Sequence, residues 1–297
     1  MVDLLMVTHN RPQYTRLSLP RLLATCDQTV RVWVWHNGND LETLGFVHSL
    51  RAHPSLYRVQ HSPENVPLRV ATNWFWSNAA GELVGKVDDD CLVPDRWTET
   101  LCCAHCDVKR FGAVGCWSFF RPEDFDPILA AHKIRAFRAG HRLLQHPWVG
   151  GSCYLMKRQC VDEQGLLRPS ESFPDYCTRL TWSGWINGLY YPLLCVDHMD
   201  DPRSPHTLLK TDADMQKYAP LTAVRNHITS VRDWQKCIED TARHIQTRRP
   251  EPCRFFWLRG SPYRLLGGVR RLRAKVWSRC KKAQPARGAG VPAHAHE

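Results

Sequence analysis

Three consecutive carboxylates, Asp88, Asp89 and Asp90, follow directly on the apolar run 83–87. Carboxylates this close repel one another, and burial at the end of a strand is costly unless a cation compensates. A hard divalent ion is the simplest compensator. Mg2+ takes one or two protein carboxylates together with phosphate oxygens, and Mn2+ accepts the same ligands. The triplet therefore suits a metal complex of a nucleoside diphosphate, although an acidic loop in solvent reads the same from these residues alone. Other polar groups also follow apolar runs: Thr8-His9-Asn10-Arg11-Pro12, His36-Asn37-Gly38-Asn39-Asp40 and Asp197-His198. Cys102-Cys103-Ala104-His105-Cys106 has zinc-type residues but no second pair at a suitable distance, so plain thiols on one helix are the better reading.

Such groups form one site only if the chain brings strand ends together. Residues 4–8, 30–35, 56–61 and 83–87 read as strands, and helical stretches at 14–26, 41–52 and 70–80 separate them. Strand and helix in turn predict a parallel sheet wrapped by helices, with ligands at the carboxyl ends of the strands. After a strand at 113–117 the pattern loosens. Gly150-Gly151-Ser152 opens a strand at 153–156, Pro174 leads a helix at 175–183, and a final strand over 189–196 ends at Asp197-His198. The expected fold class is α/β: one domain with a mostly parallel central sheet flanked by helices. It spans 1–210, in two halves at 1–97 and 98–210. A helical extension covers 211–282, basic and amphipathic from 254, and 283–297 reads as a disordered tail.

Composition narrows the class further. The chain has 297 residues, 43% hydrophobic and 23% charged, which excludes general disorder and a collagen-like fibre. No run approaches the ~20 apolar residues of a membrane span, and Asp3 interrupts any signal-peptide pattern, so a cytoplasmic location is expected. Thirteen scattered cysteines fit reduced thiols better than a disulfide framework. Net charge is +11, yet residues 254–282 alone hold seven Arg and three Lys with no acid, which leaves the rest nearly neutral. A nucleic-acid binder would spread its cations over a working face, so no nucleic-acid partner is expected. Leu265, Val269, Leu272 and Val276 recur at helical spacing in this basic segment, and Phe255-Phe256-Trp257-Leu258 precedes them. That pattern fits peripheral attachment to an anionic membrane surface at its inner face, or a helix packed on the domain with a solvated basic side.

Taken in order, these pieces resemble the glycosyltransferases of the A-type fold, the family 2 group in particular. Val7-Thr8-His9-Asn10-Arg11-Pro12 is similar to the family's first-strand signature, and His36-Asn37-Gly38-Asn39 to its base-binding turn. Asn65, Ala71 and Asn73 resemble the stretch before the central helix. Gly81-Glu82-Leu83-Val84 and Lys86-Val87-Asp88-Asp89-Asp90, then Pro94-Asp95, resemble the approach to the Asp-x-Asp metal motif. Gly150-Gly151, 175–180 and Gly184-Trp185 resemble acceptor-side pieces, and the likeness spans roughly residues 1–205. Two departures stand out. His36 replaces a frequent acid, and Ser172 and Phe173 occupy places where two acids usually precede the position of Asp175.

The resemblance implies a metal-dependent, inverting transfer from a nucleotide sugar, UDP-sugar favoured, to a glycan or lipid-linked acceptor. It assigns metal ligation by Mn2+ or Mg2+ to Asp88, Asp90 and His198, with Asp89 toward the ribose or sugar. Thr8, Asn10, His36, Asn37 and Asn73 join the donor site, with Arg11 and Lys86 as cations near the diphosphate. Asp175 is the implied base that takes the acceptor proton, with Glu171 in reserve. Asp197, Asp200 and Asp201 stay open between site residues and a solvated acidic turn. The rival readings are a basic membrane or nucleic-acid adaptor, and a sugar-nucleotide pyrophosphorylase. The latter would carry a glycine-rich loop where Thr8-His9-Asn10-Arg11-Pro12 stands.

Overall fold

The computed structural model describes residues 1–247; the basic stretch expected from 254 and the tail at 283–297 lie outside the described residues. The first half alternates as β1 (Val2–Thr8), α1 (Pro12–Ala24), β2 (Val30–Asn37), α2 (Leu41–Ser49), β3 (Leu56–Ser62), α3 (Leu68–Asn78) and β4 (Leu83–Val87). Then come β5 (Cys91–Leu92), α4 (Trp97–Asp107), β6 (Phe111–Gly115), α5 (Pro127–Ala130), β7 (Ile134–Ala136) and β8 (Arg142–Gln145). The remainder is β9 (Cys153–Lys157), α6 (Arg158–Gln164), α7 (Phe173–Trp182), β10 (Ile186–Tyr191), β11 (Asp197–His198), α8 (Asp212–Tyr218), α9 (Leu221–Arg225) and α10 (Val231–Thr247).

Nine strands form one sheet in the order β3-β2-β1-β4-β9-β6-β10-β8-β7. All but β8 and β9 run in one direction, so the mostly parallel α/β sheet is the observed one. β1 lies at the centre of the first half and is buried along nearly its whole length, as the near-continuous apolar run of a doubly covered parallel strand requires. Its side chains alternate between two cores. Leu5 faces a cluster with Phe75 of α3, Tyr176 of α7 and Trp234 of α10. Leu4 and Met6 face a cluster with Leu22 of α1, Val47 of α2 and Leu101 of α4. The helices of 212–247 thus share a core with the sheet: Trp234, Ile238, Ala242 and Ile245 are buried along one face of α10.

Asp3, in the first strand, is fully buried. It accepts from Arg31 Nε at 2.7 Å and a second Arg31 nitrogen at 2.8 Å, from Trp33 Nε1 at 2.9 Å, and from the amides of Ala80 and Gly81 at 3.0 and 2.7 Å. Burial pushes its pKa up, but the bonds from Arg31, Trp33 and Gly81 outweigh that and hold it below the usual 3.8.

The last part of the sheet departs from expectation. The strand expected over 189–196 stops early: β10 ends at Tyr191, where Pro192 follows through a cis peptide, and no named strand covers 192–196 before β11. Proline has no N–H to continue a ladder. β11 leaves the main sheet and pairs antiparallel with β5, Asp197 opposite Leu92 and His198 opposite Cys91.

Candidate active site

The carboxyl ends of β1, β2 and β4 bring the early polar motifs together. Register places Thr8 opposite His36, and Thr8 Oγ1 and His36 Nδ1 are 3.0 Å apart, both residues fully buried. Asn37 ties the end of β2 to the next loop: its Nδ2 donates to Asn65 Oδ1 and Val66 O, and its Oδ1 accepts from Val66 N. Gly38 has φ +119, and a Cβ there would stand 3.1 Å from His9 Nδ1, so the turn suits glycine on both counts. Asp40 caps α2 through the amides of Glu42 and Thr43. Asn10 is exposed with φ +48. Asn73 holds the backbone of Leu167 through bonds of 3.0 Å in both directions.

β4 delivers the aspartates, which divide between two environments. Asp88 is partly exposed and its carboxylate is held by the buried Lys86. Asp89 and Asp90 turn inward, 3% and 6% exposed. The short β5–β11 ladder, together with the bond from Met199 N to Asp90 O at 2.7 Å, sets His198 beside Asp90, with His198 Nε2 and Asp90 Oδ1 3.7 Å apart. Asp90, Cys91 and His198 offer ligand-type atoms all within 4.8 Å of one another.

Arg11 stands in the middle of this acid cluster. Leading into α1, it pairs with Asp89 at 2.9 Å, Asp90 at 3.1 Å and Asp200 at 2.7 Å. Asp200 and Asp201 are buried, 2% and 0% exposed, so a solvated acidic turn is ruled out for both. Asp201 instead pairs with Arg203, which also holds Asp124, and Asp197 pairs with Arg121. Asp200 carries no sequence signal beyond its neighbourhood to His198; its placement comes from Trp234 Nε1 donating to Asp200 O at 2.8 Å. Phe119 lies edge-on against both His198 and Trp234. Tyr14 of α1 clamps the same segment, donating to Met199 O and accepting from Leu208 N.

The electrostatics follow from this crowding. Burial, then the neighbouring carboxylates, push Asp89 up to about 6 against the pull of Arg11. Burial raises Asp200 to about 7, again with Asp90 adding to the rise and Arg11 opposing it. Burial acts on Asp90 too, but His198 and Arg11 outweigh it and hold Asp90 well below the usual range. Arg11 loses part of its hydration here, but the three acids outweigh that and raise it. His198 Nδ1 and Asp200 Oδ1 are buried without a hydrogen-bond partner among the described residues. Orphaned polar atoms in a buried acid cluster are the expected trace of a cation site. A divalent ion fits this set of one imidazole and buried carboxylates.

The acceptor-side helix α7 begins close by. A Cβ on Gly151 would lie 3.8 Å from Lys86 Nζ and from Phe173 Cβ, and Phe173 stacks on Tyr154 with centroids 4.0 Å apart. Asp175 is exposed at the first turn of α7, where its Oδ2 accepts from Ser172 N and Oγ while Ser172 Oγ accepts from Asp175 N. Ser172 thus serves as the N-cap of α7 in place of an acid. Glu171 is engaged: Arg179 grips it with two bonds of 2.8 and 2.7 Å, and Arg168 N donates to it at 2.9 Å. Despite opposing burial, these bonds keep Glu171 below the usual carboxylate range. Trp148, half-buried, packs edge-on against His146. His105 of the cysteine-rich helix is buried and held to Leu155 O.

Solved structures share the architecture. A mannosyltransferase, PcManGT, from Pyrobaculum calidifontis, solved with GDP-Man and Mn2+, superposes with TM-score 0.55 at 17% identity over 95% of this chain and 87% of that chain. GalNAc-T7, solved with UDP, GalNAc and Mn2+, gives TM-score 0.52 at 13% identity, covering 82% of this chain and 54% of that one. At such identities the likeness is one of fold. No curated protein sequence matches the chain. The sequence profile of Glycosyl transferase family 2 matches residues 3–163, more than half of the chain and the whole of the sheet from β1 to β9; the protein belongs to that family and is a glycosyltransferase.

Proposed function

We propose that the protein transfers a sugar, with inversion and with a divalent metal, from a nucleoside diphosphate sugar to a hydroxyl of a glycan or lipid-linked acceptor. UDP-sugars are the first donors to test. The observation that supports this reading most is the buried meeting of Asp90, Asp200 and His198, in which His198 Nδ1 and Asp200 Oδ1 have no protein partner among the described residues. Asp90 and His198 would hold Mn2+ or Mg2+; Asp88, the third residue assigned to the ion, is held by Lys86 outside that group. When bound, the ion supplies charge neutralisation on the departing diphosphate.

The remaining roles belong to the protein's own groups. Arg11 compensates Asp89, Asp90 and Asp200 and, with Lys86, lies where a diphosphate would need cations. Asp89 faces the ribose or sugar. The turn of Thr8, Asn10, His36 and Asn37 shapes the base subsite, and Asn73 fixes the loop at Leu167 behind it. Asp175 takes the proton of the acceptor hydroxyl: only its Oδ2 is engaged among the described residues, whereas Glu171 is held by Arg179. The cation-rich residues 254–282 hold the enzyme to an anionic membrane face from the cytoplasmic side, so raised salt should release it from anionic liposomes.

The test is hydrolysis of nucleotide sugars by purified protein with and without Mn2+. Metal-dependent release of the nucleotide is the expected result. Release that is equal in excess chelator would overturn the metal-dependent reading.

A further inference from the structure

A cavity of about 630 Å3 opens at the end of the sheet opposite the site described above. Residues 107–110 lead into β6 and Ile186 starts β10, and both strands run in the direction of β4. Their amino ends therefore lie away from the carboxyl end that carries Asp88. Lys109, Arg135 and Arg138 line this cavity, and none of the three side chains has an ion-pair or hydrogen-bond partner among the described residues. Arg135 Nε is moreover buried without a partner. Gln145, 3% exposed, also lines it, with its Oε1 buried and unpartnered. The single acid at the rim, Asp107, is already paired with His141 Nε2 at 2.9 Å.

Arg110, which also lines the cavity, donates to Gly184 O, whereas Lys109 and Arg138 are exposed and Arg135 half-buried. Three such cations around one cavity repel each other, and an anion between them relieves that repulsion. Guanidinium groups match phosphate oxygens in a forked geometry that water does not reproduce. The rest of the wall is different in character. Ile134, Phe137 and Ile186 supply apolar surface, and the volume is that of a site for a small organic molecule. We infer that this cavity is a second ligand site, separate from the transfer site, for a phosphate monoester that carries an apolar or aromatic group. The phosphate meets Arg135, Arg138 and Lys109. The organic part lies on Ile134 and Phe137. The inference does not depend on which sugar or acceptor the enzyme uses.

Calorimetry on the full-length protein in excess chelator tests it, with phenyl phosphate and inorganic phosphate as probes. Phenyl phosphate should bind, and bind several-fold tighter than inorganic phosphate. The double change Arg135→Gln and Arg138→Gln should weaken it by at least about tenfold, since it removes both forked charge-assisted contacts to the phosphate. Arg270→Gln with Arg271→Gln, which alters the basic segment, should leave the affinity unchanged. Lys109→Gln is a single, milder change, and a drop of about threefold or more there decides the matter should the double variant fold poorly. Unchanged binding in the cavity variants, loss only in the 270–271 variant, or equal affinity for the two probes would each overturn the assignment.

Discussion

Two sets of buried carboxylates lie near the two ends of β1, and they are built in opposite ways. Asp3 is saturated: five donors converge on it, two of them backbone amides. At the other end, Asp89, Asp90 and Asp200 share the single guanidinium of Arg11, and Asp200 Oδ1 and His198 Nδ1 remain without partners among the described residues. The contrast separates a carboxylate that stabilises the fold from carboxylates kept for a ligand. A buried charge with all its bonds made has nothing left to offer, whereas an undercompensated cluster gains when a cation arrives.

The largest effect should come from the proposed base, which belongs to neither set. Asp175→Asn keeps the shape of the N-terminal turn of α7 but removes the proton acceptor, so turnover should fall ~10²–10⁴-fold while nucleotide affinity holds. Near-normal turnover in this variant together with a dead Glu171→Gln would move the role to Glu171.

Asp3→Ala sharpens the comparison from the other side. Loss of the carboxylate leaves buried N–H groups of Trp33 and Gly81 unpaired and should cost about 3 kcal/mol of stability. Activity per folded molecule should not change. Denaturant unfolding alongside a transfer assay reads both.

pH should pull Asp3 and the raised pair Asp89 and Asp200 in opposite directions. Asp3 has a folded pKa below its unfolded value, so its contribution is present above about pH 4 and is lost as pH falls through the folded value. Asp89 and Asp200 have folded values raised to about 6 and about 7. Their contribution is complete below the unfolded value and is lost as pH rises through those folded values. Without metal, melting temperature should therefore rise from strongly acid pH to about 4 and then lose part of that gain toward neutrality. Added Mn2+ should remove the second decline. A decline that persists unchanged with Mn2+ would show that the cluster is not where the metal acts.

Much of this arrangement could be read from the chain before its structure. β1 to β4 with their intervening helices follow from hydrophobic periodicity, because each element needs only local sequence to declare itself. The same holds for the aspartate triplet at the end of β4. Other features have no local signature. β5 and β11 are two residues each, too short for a period, yet their pairing sets His198 beside Asp90. Arg11 reads as a surface or phosphate cation until the fold brings Asp200 to it. Asp200 in turn depends on Trp234, far along the chain in α10, whose indole reads from sequence only as core. Pro192 ends the ladder of β10, yet the apolar residues on either side of it read from sequence as one run.

Trp234→Phe tests that long-range support at the smallest scale. It keeps the ring against Phe119 but removes the donor to Asp200 O, and it should cost about 1 kcal/mol of stability. Weaker Mn2+ affinity should accompany the loss, since the strap that places Asp200 and His198 is then less fixed.

The most direct test of the cluster as a metal and donor site is calorimetry of UDP binding to the wild-type protein with Mn2+, the same titration in excess chelator, and a third with Asp90→Ala in Mn2+. The expected result is binding in the first and none or greatly weakened binding in the other two. Equal UDP affinity in all three would contradict the assignment of the buried acids to metal and donor.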